Sequence, residues 1–197
     1  MMQSQISICN RALARMGQTR FIRALDEASE EAETLRLHYD PVRRALLSDR
    51  VWRFATMLSP LPELTASVPG WEYVYAAPAG CLRVVAVTPA TAPDDSGAPF
   101  ETVRLPSGRA VLANVPNALC RYVYDVSDPM EFPPLFADAL AWRLALEISA
   151  PLTTKQGLRD HLASHYMEAL RRAVDVDAAE ASSSLPEWGD EYIKARS

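Results

Sequence analysis

The chain has 197 residues, 49% of them apolar, and a net charge of −5, which suits one well-filled domain or a main domain carrying a smaller one. With no basic block, it is not expected to hold nucleic acid by a broad cationic surface. Cys9, Cys81 and Cys120 are too far apart for a CxxC zinc site or a disulfide framework, and neither a secretory leader nor a membrane-spanning stretch is apparent, so assembly in a reducing cytoplasm is expected.

Ile6, Cys9, Leu13 and Met16 recur at steps of three and four, which predicts an amphipathic helix, and Gly17 stands where a left-handed cap would end it. Ser29 then suits the cap of a second helix whose first turn carries Glu30, Glu31 and Glu33. Its apolar stripe is Ala28, Ala32, Leu35, Tyr39, Val42 and Leu46. Pro41 interrupts it and predicts either a kink or a break, with Asp40 capping a new segment. The WRFA quartet, Trp52 to Ala55, reads as an aromatic anchor seating this helix on the next layer, with Arg50 and Arg53 beside it in solvent.

A stretch rich in Pro, Ser and Thr from Ser59 to Pro69 precedes a change of period. Trp71, Tyr73 and Tyr75 alternate with other residues, CLRVVAVT follows a Pro-Ala-Gly turn, FETVRL and RAVLAN flank PSG as a hairpin, and ALCRYVYDV puts Cys120, Tyr122, Tyr124 and Val126 on one face. About five antiparallel strands are expected between Trp71 and Val126.

The segment PPLFADALAWRLALEISA, from Pro133 to Ala150, reads as a helix apolar on nearly every side, with Arg143 and Glu147 on one narrow face and Pro151 marking its end. Such a helix needs cover from other helices, a sheet or neighbouring subunits. Thr153 or Thr154 suits the cap of a last helix, whose face is Leu158, Leu162, His165, Ala169, Ala173 and Val176. The fold class is therefore α+β. Residues 1–58 and 130–178 form a bundle of about four helices, 59–129 an antiparallel β-domain inserted between the second and third, and 179–197 an extended tail whose large apolar residues suit either docking on a partner or packing back on its own domain.

Few residues suggest chemistry. His161 and His165, four apart on one helix face, have a spacing that can hold a metal, and with Asp160 or Glu168 they define the alternative reading of a cytoplasmic metal-dependent hydrolase. Against it, Leu162 stands where the HExxH pattern needs Glu, and His38 belongs to another helix. The DDSG at 94–97 lacks the rest of a calcium loop and reads as a turn. There is no phosphate loop, nucleophile elbow or dinucleotide fingerprint, so no catalytic residue, cofactor or metal is expected.

The order of landmarks resembles the tail tubular protein A, or head-to-tail adaptor (connector), family of short-tailed bacteriophages. The first group is Asn10, Ala12, Leu13 and Gly17, followed by Tyr39, Leu46, Leu47 and Trp52 to Ala55. Next come Trp71, Tyr73, Tyr75 and Pro78, then CLRV from Cys81, then Tyr122 and Tyr124. The last group is Leu135, Phe136, Ala139, Leu140 and Leu144, so the match runs from about Ile6 to Leu152.

The resemblance implies a structural virion protein at the head-to-tail interface, with a helical bundle and a small β-domain. Its copies would form a dodecameric ring beneath the portal ring, extend the channel through which DNA is ejected, and support the tail nozzle or fibres. It also implies that the C-terminal segment, with Leu185, Trp188 and Tyr192 as anchors, docks on the portal. Arg43, Arg44, Arg50 and Arg53 are expected at a contact between subunits rather than on DNA, and a negative chain suits a channel that must not grip phosphate.

Overall fold

The computed structural model describes residues 3–91, 97–152 and 157–182, with the backbone alone at 151, 152, 181 and 182. Among them are four helices and six strands, an α+β fold. Helix α1, Gln5–Arg15, opens on a reciprocal cap: Ser4 accepts from the Ser7 amide, and the Ser7 hydroxyl accepts from the Ser4 amide. It closes at Gly17, whose φ of 74° is the left-handed conformation a side chain resists; the Gln18 amide reaches back to the Leu13 carbonyl.

Helix α2, Glu30–Asp49, is capped by Ser29 and runs unbroken through Pro41, so of the two outcomes Pro41 allowed the break is not taken. The carbonyl that the missing Pro41 N–H would have met belongs to Leu37, which is 65% exposed, so water can serve it. Ala28 lies outside the helix and is exposed, while the rest of the predicted stripe is buried.

The five strands expected between Trp71 and Val126 are all present, and a sixth precedes them; together they form two three-stranded antiparallel sheets. The first sheet has the order β1-β6-β3, from Thr56–Pro60, Ala118–Tyr124 and Cys81–Pro89; the second has β2-β5-β4, from Tyr73–Ala76, Gly108–Ala113 and Phe100–Leu105. The additional strand is β1. It carries no two-residue alternation, leaves Met57 and Leu58 exposed and ends in Pro60, the features of an edge strand. Pro106 and Ser107 close the β4–β5 hairpin, where Leu105 pairs with Gly108.

The first sheet is covered on both faces. Ala118, Cys120 and Tyr122 of β6 and Val84 and Val87 of β3 pack on Tyr75, Val111 and Ala113 of the second sheet. Val123, Val85 and Leu82 point the other way into the helices. Two register shifts in β3, at Cys81/Arg83 and Val84/Ala86, break its alternation and let one strand serve both layers. Tyr124, the last residue of β6, is 37% exposed and lies over Gly80. The outer face of the second sheet, Val74, Ala110 and Leu112, is closed by Leu64, Val68 and Trp71 from the Pro-rich stretch before β2.

Helix α3, Pro134–Leu152, is the axis of the bundle, with α1, α2 and α4 (Leu158–Ser182) packed around it. Phe136, Ala137, Leu140, Ala141, Leu144, Ala145 and Ile148 are fully buried, so the cover this helix demands comes from its own chain and needs no neighbouring subunit. It continues through Pro151, past the predicted stop at Ala150, and α4 continues past 178 to Ser182, shortening the expected tail. In α3 the helix persists because Pro151 lies in the last turn, where few backbone bonds are left to lose. The proposed caps Thr153 and Thr154 lie outside the described residues.

Candidate functional site

The joint between layers is aromatic. Trp52 donates from Nε1 to the Leu46 carbonyl at 2.9 Å and meets Phe136 edge-on at 5.1 Å; Phe54 meets Phe136 at 4.8 Å and Phe132 at 6.2 Å. These contacts fasten the end of α2 to the start of α3, as an anchor at WRFA should. Asn10 makes a second joint, missed from sequence: its side-chain amide donates to the Ile22 carbonyl and accepts from the Ile22 amide, both at 2.9 Å, clamping the loop after α1.

The four arginines do not form one cluster. Arg43 is buried, 3% exposed, and its guanidinium is committed inside the chain to Asp40, Asp125 and the Val126 carbonyl, so it offers nothing to a subunit contact. Spacing along the sequence shows only the Asp40 pairing, three positions away; Asp125 and the Val126 carbonyl are brought to Arg43 by the β-layer. Arg44 also pairs with Asp125, at 3.1 Å, but is mostly exposed. Arg50 and Arg53 are exposed and sit beside the last part of α4. There Asp177 accepts the Arg53 backbone N–H at 3.1 Å, and partial burial raises the Asp177 pKa.

His161 and His165 do come together, edge to face, with ring centroids 4.3 Å apart. His165 also stacks on Trp142 at 4.8 Å, and Arg15 lies over the same indole at 4.0 Å while pairing with Asp138. This is a packing arrangement in which the imidazole contributes a flat face. No group of three His, Cys, Asp or Glu able to hold a metal occurs among the described residues. The anchors Leu185, Trp188 and Tyr192 lie outside the described residues, as does most of DDSG.

Large apolar side chains are exposed at separate places: Phe21 beside α1, Leu37 on α2, Met57 and Leu58 on β1, Met130, and Met167 on α4. Phe21 borders a shallow apolar depression with Ile6, Ala14 and the stem of Arg11. A second pair of depressions flanks Trp52, between the end of α2, the start of α3 and the end of α4. No helix among the described residues is long and apolar enough to cross a membrane.

No family model matches this chain, and no curated protein matches it. The fold itself defines the class: an α+β protein in which a two-sheet β-layer is inserted between the second and third helices of a four-helix bundle.

Proposed function

We propose that the chain is a structural subunit of a phage head-to-tail adaptor, which forms a ring under the portal, lengthens the DNA channel and supports the nozzle or fibres. The observation that carries this reading is where the landmarks of the resemblance fall. Asn10 clamps the first loop, Leu46, Trp52, Phe54 and Phe136 join α2 to α3, and Tyr75 and Tyr122 fill the space between the sheets. A set of residues that specifies one architecture in order supports descent of that architecture more strongly than any of its short motifs.

Ring formation is then a matter of surface, since α3 is covered from within. Exposed Met57 and Leu58 on the edge strand β1, Met167 on α4 and the pair Arg50 and Arg53 are the groups a heterologous, closing contact can use. The net charge of −5 favours a lining that phosphate slides past. The copy number of twelve rests on the resemblance alone.

Light scattering after size exclusion, on the protein alone and mixed with its candidate portal ring, tests the reading. A 21.8 kDa chain joining the portal in equal copies is the expected result. A protein that ignores the portal overturns it, and one that binds only the capsid shell marks a different virion role.

A further inference from the structure

The outward face of α4 is spaced alike from either end. Leu162, Ala169 and Ala173 turn inward, which leaves Asp160, Ser164, Met167 and Arg171 side by side in solvent, at steps of four, three and four. Met167 is 61% exposed, and the two ends of the row carry opposite charges. Among the described residues neither the Asp160 carboxylate nor the Arg171 guanidinium has a hydrogen-bond or ion-pair partner, whereas the neighbouring Arg172 is turned to Asp138.

A second α4 laid antiparallel on this face, about a two-fold axis level with the His165–Tyr166 peptide, sets Asp160 of each copy opposite Arg171 of the other and brings the two Met167 side chains together. Laid parallel in the same register, the face would oppose like charges at both ends. We infer that this face is a self-association surface, and that its partner is the same face of a second copy of the chain. Covering it leaves no donor stranded, since the Ser164 hydroxyl already donates to the Asp160 carbonyl at 2.9 Å. The flanking charges do not oppose it. Glu168 comes opposite Ala163 of the second copy, and Arg159 and Arg172 leave the face on opposite sides of the helix.

The seam from Asp160 to Arg171 is only about 16 Å long, so the contact is a weak one that forms at high protein concentration. A two-fold contact closes at two copies and cannot be the repeating contact of a ring. The surface therefore does not rest on the adaptor reading. If ring formation uses Met167, the dimer and the ring exclude one another.

Sedimentation equilibrium on the full chain, from micromolar to millimolar, tests the surface. The expected result is monomer and dimer with no larger species, and a dissociation constant on the order of 0.1 mM that rises with salt. Arg171→Glu and Asp160→Arg are each expected to weaken self-association at least about tenfold, because both opposed pairs become like pairs. An equimolar mixture of the two variants restores it, since each pair across the axis is then of unlike charge. Met167→Cys, in a chain carrying Cys81→Ser, is expected to be joined copy to copy by a short bismaleimide, and Cys81→Ser alone is not. That variant keeps both charges, so it remains informative if Asp160→Arg frays the start of α4. A chain that stays monomeric at every concentration overturns the inference, as does association that runs on past two copies. So does a dimer that the charge variants leave unchanged or that Met167→Cys fails to cross-link, which places the contact elsewhere.

Discussion

Arg43 Nη1 of α2 stands 2.6 Å from Asp125 Oδ1, just beyond the end of β6, and this ion pair ties the helical bundle to the β-layer. Its two ends are unequal. Arg43 is buried, and its remaining carboxylate partner, Asp40, is largely exposed; Asp125 is partly open to water and keeps Arg44. Removing the acid therefore strands a buried cation, whereas removing the cation leaves a partly open acid and one backbone carbonyl, that of Val126, without their donor. Asp125→Ala is expected to cost about 3 kcal/mol in urea unfolding, against about 1 kcal/mol for Arg43→Met, which retains the stem's packing. Equal losses would show that the pair's burial is not what sets its worth.

Tyr39 is 2% exposed, and among the described residues its hydroxyl has no hydrogen-bond partner. Burial, with Cys9 nearby, pushes its ionisation well above the ordinary tyrosine range. Since an unmet buried hydroxyl is a cost, Tyr39→Phe should leave stability unchanged or raise it by up to about 1 kcal/mol. A loss of that size, measured by urea titration, would mean that the hydroxyl is satisfied in solution.

The cysteines differ in access. Burial raises the thiols of Cys9 and Cys120 from 9.0 to about 12, and raises that of half-buried Cys81 as well. Cys81 should react first with a thiol reagent at neutral pH, and Cys9 and Cys120 only as the chain unfolds. The folded state holds these protons more tightly, so their contribution is complete below pH 9 and is lost as pH rises towards 12. Unfolding midpoints measured across that range should fall in the native chain and fall less in Cys9→Ala.

Gly80 opens β3 with φ of 69°, and an added Cβ would stand 2.5 Å from the Tyr124 ring. Gly80→Ala should cost about 2 kcal/mol from the left-handed backbone and the ring contact together. In combination with Tyr124→Ala, the contact disappears and only the backbone share, about 1 kcal/mol, remains. A double-mutant cycle by thermal or urea unfolding separates the two; full recovery in the pair would show that the backbone carries no cost.

Much of this fold is legible from local pattern. The Ser29 cap, the stripe from Ala32 to Leu46, the apolar run of α3 and the β4–β5 hairpin are each set by residues a few positions apart. The failures share one cause. Strand β1 has no alternation because it is an edge, and Tyr124 is open to water because it is the last residue of its strand. Arg43 looked like a surface arginine because its acid partner is 82 positions away. The candidate site was less legible still, since the groove at Trp52 draws its lining from α2, α3 and α4, which share no sequence signal.

The sequence by itself determined the elements and the aromatic joints, since helical stripes, caps and turns are local consequences of residue type and spacing. Only the tertiary structure decided that α3 is covered by its own chain, that one sheet serves two cores, and which arginines remain at the surface. Those outcomes depend on long-range packing and on the desolvation of particular charges, and no spacing of residues along the chain encodes either directly.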